Sequence, residues 1–135
     1  MNVAAGSRIT FAIRTTAGEL AGITSYLDLR AHDGGVEIGN TMMFASHRRT
    51  VANTAAKRLL LGHAFECGLD RVALKTDARN LRSRAAIERI GARFEGILRN
   101  YQRRADGSLR DTAMFSITAS EWPDVRRRLD TFLAR

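Results

Sequence analysis

The chain has 135 residues, 44% of them hydrophobic and 27% charged, with 22 Lys and Arg against 14 Asp and Glu for a net charge of +8. Those proportions exclude a disordered tail, a fibrous repeat and a two-domain chain, and describe one folded domain over residues 1–135. The single cysteine, Cys67, excludes an intrachain disulfide framework, and the positive charge favours anionic partners: a phosphorylated small molecule, nucleic acid or an acidic protein surface.

In chain order, Ile9 to Thr16 is rich in β-branched and aromatic residues and reads as a strand, joined by a tight Ala17-Gly18 turn to a second strand over Glu19 to Leu29. Asp33-Gly34-Gly35 is another turn signal, and Val36 to Ala45 reads as a third strand, so the chain opens as a meander. From Thr50 to Cys67 the pattern becomes helical. Ala52, Ala56, Leu59, Leu60, His63, Ala64 and Cys67 recur on one face, Thr50 or Asn53 caps the start, and Gly68 ends the helix. Arg71 to Thr76 is a short strand, and Asn80 caps a second helix that closes at Ile90-Gly91. Phe94 to Gln102 and Arg110 to Ile117 form a hairpin about Asp106-Gly107. Thr118-Ala119-Ser120-Glu121 has capping-box spacing for a last helix that buries Val125, Leu129, Phe132 and Leu133. Strands first and alternation later give an α+β or mixed α/β class. No stretch approaches the ~20 apolar residues of a membrane span, so neither a signal peptide nor an anchor is expected, and the cytoplasm is the expected setting.

Chemistry concentrates at the junction of the third strand and the long helix, Phe44-Ala45-Ser46-His47-Arg48-Arg49-Thr50-Val51-Ala52-Asn53-Thr54. A helix N-terminus presents unpaired N–H groups and the positive end of the dipole, which suits a phosphate, and Arg48 and Arg49 add charge. The competing reading is a solvated loop on a basic protein. Cys67 has no ordered Cys/His constellation around it, and His32, His47 and His63 lack metal-ligand spacing, so no metal is expected. Arg126-Arg127-Arg128 reads as the solvated face of the last helix.

Over about 90 residues, from Val36 to Val125, the ordered motifs resemble the GNAT N-acetyltransferase superfamily, in particular its Rim-type branch. The matching pieces are ValGluIleGly39, AlaLysArgLeuLeuLeu61, Asn80-Leu81-Arg82-Ser83, IleGlyAla92, PheGluGly96, the Asp-Gly hairpin with ArgAsp111, and GluTrpPro123. The resemblance implies a mixed, mostly antiparallel sheet with helices on both faces, whose central strands splay around acetyl-CoA. It also implies transfer of acetyl to a primary amine, a protein N-terminus or a small amine, by direct attack in a ternary complex. The coenzyme's diphosphate is expected on Arg48, Arg49, Thr50, Val51, Ala52, Asn53 and Thr54, although Val51 and Asn53 stand where small residues are usual in the family. Its pantetheine arm is expected along Met42, Met43 and Phe44, with a backbone N–H toward the thioester oxygen. Asn80 and Ser83 are expected to hold the arm.

For the amine's proton the expected base is Glu37, which interrupts an apolar run between Val36 and Ile38; the alternative is an outward-facing strand glutamate, and Glu19, Asp28 and Glu95 are lesser candidates. Many family members protonate the thiolate with a tyrosine four residues after the Asn-x-x-Ser position. Ile87 stands there, leaving Ser83 as the hydroxyl. Relatives in this family begin some fifty or more residues earlier, so the chain is expected either to be an N-terminally shortened fragment or to have the edge left by Ile9 to Thr16 covered by an oligomer partner, such as a homodimer's second copy. The alternative function is a catalytically weak or inactive acetyl-CoA-binding domain, or a basic RNA- or ribosome-associated module.

Overall fold

A computed structural model describes residues 8–48 and 50–134. Strands β1 (Arg8–Arg14), β2 (Leu20–Arg30) and β3 (Gly35–Met43) form the meander. A single 3-10 turn, Ala45–His47, leads to helix α1 (Val51–Glu66); β4 (Arg71–Asp77), α2 (Leu81–Arg89), β5 (Arg93–Arg103), β6 (Leu109–Thr118) and α3 (Trp122–Leu133) follow. The six strands lie in the order β1-β2-β3-β4-β6-β5, antiparallel at every step except β3–β4. This is the mixed, mostly antiparallel sheet expected.

Side chains paired across a ladder share a face, so the register shows where the helices lie. Tyr26 pairs with Ile38, Val36 with Val72, Val72 with Ile117, and Leu74 with Phe115, which pairs in turn with Phe94. On that face the Tyr26 hydroxyl donates to the Leu60 carbonyl of α1 at 2.5 Å, and Arg84 of α2 lies over the Phe94 ring. α3 packs against α1, and its Val125 meets Gly91 at the end of α2. All three described helices therefore sit on one face, which corrects the expectation of helices on both. The reason is handedness. The connections β3-α1-β4 and β4-α2-β5 advance the same way across the sheet, and right-handed crossovers then place both helices on the same side.

The core between helices and sheet is built on Phe115, Ile38, Leu61, Ile117, Leu129 and Val72, all fully buried. α1 contributes Leu60, Leu61 and Ala64, whereas Leu59, expected on the buried face, is 71% exposed. The contact stripe follows 60, 61 and 64, which turns position 59 to solvent. Gly68, at φ +88°, ends α1, with the Leu69 N–H donating to the Ala64 carbonyl at 3.2 Å.

Two local details differ from the sequence reading. The β1–β2 connection runs over residues 15–19, with the Gly18 N–H donating to the Thr15 carbonyl at 2.9 Å and Gly18 at φ +87°, rather than as a two-residue turn. At the last helix, Thr118 does pair with Glu121, its N–H and hydroxyl donating to Oε1 at 2.9 and 3.0 Å, yet Thr118 ends β6 and the helix begins at Trp122. Pro123 in the first helical turn, where its missing N–H leaves no bond unmade, sets that later start.

The Asn80 cap forms as expected, Oδ1 accepting from the Ser83 N–H at 3.1 Å. Asn80→Ala should cost about 1 kcal/mol and lower the melting temperature by roughly 3–4 °C. Thermal unfolding followed by circular dichroism checks this, and an unchanged midpoint would show that the cap carries no stability.

Candidate active site

The parallel pairing of β3 with β4 lasts only from Gly35 opposite Arg71 to Glu37 opposite Ala73. Beyond that point β4 stays with β6 as far as Asp77 and β3 stays with β2 as far as Met43, so the two central strands part. A bulge in β3 bends it toward β2: Asn40 and Thr41 together oppose Thr24, and Asn40 takes φ 48°, a left-handed conformation that asparagine tolerates better than most residues. From Ile38 onward the edge of β3 that faces β4 has no strand partner.

The gap opens into a cleft of about 910 Å³. Glu37, Met43, Arg48, Thr50, Asn53, Thr54, Asn80 and Ser83 line it. Met42, Phe44, Val51 and Ala52 do not, and Arg49 lies outside the described residues. Met42 is 55% exposed and Val51 60%, so the branched side chain of Val51 stands clear of the cleft. Thr50 is the N-cap of α1: its hydroxyl donates to the His47 carbonyl at 2.7 Å and accepts from the Ala52 N–H at 3.3 Å. One of the free N–H groups at the helix start is thereby committed to the cap, while Thr54 and Asn53, a turn inside, face the cleft.

Glu37 is the one carboxylate among the described residues that line the cleft. It is 8% exposed, with Oε1 at 3.3 Å from Lys75 Nζ and Oε2 buried without a hydrogen-bond partner among the described residues. A Cβ at position 39 would come within 2.9 Å of Oε2, so Gly39 makes room for this carboxylate. Burial raises the Glu37 carboxyl above its ordinary 4.5, against the opposing pull of Lys75. Lys75 in turn lies 5.2 Å from the centre of the Tyr101 ring.

The lesser candidates are engaged elsewhere. Glu19 pairs with His47 at 3.3 Å and Asp28 with Arg30 at 3.7 Å. Glu95 accepts two 2.7 Å bonds from Arg71, which hold its carboxyl below the usual range. Ser83 is half-buried on the α2 wall, and Ile87, one turn on, makes that wall apolar where the family often carries a tyrosine.

Lys57, Lys75 and Arg110 also line the cleft and were missed in the sequence. Lys57 was recoverable, because it falls four residues after Asn53 and seven after Thr50, on one helical face. Among the described residues no cluster of His, Cys, Asp or Glu is arranged to hold a metal ion, and Cys67 is exposed with Sγ 3.6 Å from His63 Nε2. No helix among the described residues is long and apolar enough to cross a membrane.

The model of the Acetyltransferase (GNAT) domain family matches residues 2–93. The chain belongs to this family. The resemblance read from the motifs is thus confirmed, and the GNAT assignment accounts for the splayed β3–β4 pair. Solved structures agree. A protein from T. thermophilus assigned to the acetyltransferases is 41% identical with a TM-score of 0.87, the match covering 93% of this chain and 66% of that one. A GCN5-related N-acetyltransferase from Brucella melitensis is 34% identical with a TM-score of 0.87, over 93% of this chain and 57% of the other. Mycobacterium smegmatis RimJ, solved in complex with CoA-disulfide, is 29% identical with a TM-score of 0.80, over 92% and 59%, in keeping with the Rim-type branch. The GNAT chain thus spans between 57% and 66% of the length of these structures. Comparison with curated proteins returned no match.

Proposed function

We propose that this GNAT chain transfers an acetyl group from acetyl-CoA to a primary amine, a protein N-terminus or a small amine, by direct attack on the thioester. The observation that carries this is Glu37: a buried carboxylate with a raised pKa, at the point where β3 and β4 part and lining the cleft between them. An ammonium must lose a proton before it attacks, and a carboxylate held more basic than usual is suited to take it.

The other cleft residues fit the coenzyme. The start of α1, with its dipole and free N–H groups, together with Arg48 and Thr54, suits the diphosphate. The unpaired edge of β3 offers backbone groups to the pantetheine amides and an N–H to the thioester oxygen as charge develops there. Asn80 and Ser83 face this arm from α2, and the Ser83 hydroxyl is the group placed to protonate the departing thiolate.

Acetyl-CoA present at about 100 times its dissociation constant should stabilise the fold by about 2.7 kcal/mol, a rise of roughly 8–10 °C in melting temperature. The companion assay is thiol release from acetyl-CoA with a panel of peptides bearing free N-termini and of small amines. Absence of any shift at several hundred micromolar acetyl-CoA would overturn the proposal.

A further inference from the structure

Lys57 is a half-buried lysine with no counter-ion among the described residues. It lies in the second turn of α1, half-buried on the cleft wall, and its Nζ donates to Thr41 Oγ1 at 3.2 Å and Asn53 Oδ1 at 3.3 Å. Among the described residues no carboxylate is within ion-pair distance of it, whereas the other cleft lysine, Lys75, has Glu37. An ammonium carries three donors, so one remains beyond these two neutral contacts. The surroundings oppose the charge: burial pushes the ammonium down from 10.5 to about 8.

A desolvated cation facing only neutral oxygens is an unfavourable arrangement unless an anion joins it. The anion implied is one that enters the cleft beside the start of α1, because Lys57 reaches back toward that end through Asn53. Among the described residues the other charged groups on the cleft wall are Arg48 in the turn, Glu37 on β3, Lys75 on β4, Arg82 and Arg89 on α2, and Arg110 on β6. Arg48, Arg82 and Arg89 are exposed, where a charge contributes little to binding.

We infer that Lys57 supplies the principal positive charge for the coenzyme's diphosphate, from inside the helix rather than from the basic turn before it. The inference rests on the acetyl-CoA reading above. It also explains how the site tolerates Asn53 where a small residue is usual: Asn53 Oδ1 aims the ammonium. Binding then includes a proton step. Above about pH 8 the amine is largely neutral, and the negative phosphoryl oxygens favour its charged form, so that it takes a proton from solvent as the coenzyme binds.

The test is calorimetric titration of the full chain with acetyl-CoA, dephospho-CoA, which keeps the diphosphate, and S-acetylpantetheine, which has the thioester arm and no phosphate. Lys57→Met should weaken acetyl-CoA and dephospho-CoA alike by about 10–100-fold, the range of a hydrogen bond between charged groups, and leave S-acetylpantetheine unchanged. At pH 8.5, titrations in buffers of different ionisation enthalpy should show proton uptake by the wild type and none by Lys57→Arg, whose guanidinium is always protonated. Equal weakening toward all three ligands would make Lys57 a strut between α1 and Thr41 and overturn the inference, as would undiminished acetyl-CoA binding by Lys57→Met. Failure of the wild type to bind acetyl-CoA overturns the acetyl-CoA reading itself, and the inference with it. Melting temperatures of both variants confirm that they are folded, and Lys57→Arg carries the test if Lys57→Met is not.

Discussion

Glu37→Gln is expected to lower kcat for acetyl transfer by about 10²–10⁴-fold, the usual worth of a positioned general base, while the KM for acetyl-CoA stays nearly constant. The amide keeps the shape and the contact with Gly39 but cannot take a proton. The loss cannot be put down to unfolding. A carboxyl whose folded pKa lies above 4.5 stabilises the fold most below pH 4.5, and that contribution fades as pH rises through the folded value. At pH 7 the charged form is a cost, so the glutamine variant should melt no lower than the wild type.

The same shift sets the acid limb of the rate profile. In the wild type kcat/KM should fall as pH drops through a value above the ordinary 4.5. Lys75→Met removes the charge that pulls the Glu37 pKa down, so it should move that limb further toward neutrality. A profile that is flat through the acid range, or a glutamine variant with wild-type kcat, would mean that the proton leaves by another route.

Phe115→Ala should be the most damaging single core change, costing about 3–5 kcal/mol. Phe115 is fully buried on β6, its ring 5.4 Å from that of Phe94, and it pairs with Leu74 on β4. Domains of this size hold only about 5–15 kcal/mol in all, so a fall of roughly 10–20 °C in melting temperature is expected. Phe115→Leu, which keeps most of the volume, should recover the greater part of it. Denaturant unfolding of the three proteins decides the matter: a loss below about 1 kcal/mol would show that the core relaxes into the space. Because β4 forms one wall of the cleft and leans on β6 along its whole length, the alanine variant should also bind coenzyme less tightly while folded.

Much of the fold was legible because local physics writes it plainly. The change from period-2 to helical spacing at Thr50, the Asn80 cap, the Gly68 stop and the Asp106-Gly107 turn each act within a few residues. What was not legible depends on distant pairing. That all three helices share a face follows from the strand order and crossover handedness, which no window of sequence contains.

The site divides in the same way. Thr50, Asn53 and Thr54, which line the cleft, were legible from their place at a helix start, where the end of a helix dictates the chemistry, whereas Asn80 and Ser83 were legible as site residues only through the Asn-x-x-Ser resemblance. Glu37 was ranked first as an interruption of an apolar run; the fold adds that Glu19, Asp28 and Glu95 are engaged by His47, Arg30 and Arg71. Met43 lines the cleft while Met42 and Phe44 do not, because the bulge at Asn40 and Thr41 sets which side chains beyond it face the gap; the role expected of all three is a backbone one. Leu59 was misplaced because helical spacing alone does not say which way a stripe is turned.

The cleft is a parting between two strands of one sheet, not a space between two lobes. Each wall is locked to its outer neighbour, β3 to β2 and β4 to β6. A ligand entering such a slot meets a nearly finished shape, with no hinge to swing and no lobe to close. Small-angle scattering should therefore give the same radius of gyration with and without coenzyme, and amide exchange should slow only along β3 beyond Ile38 and at the first turn of α1.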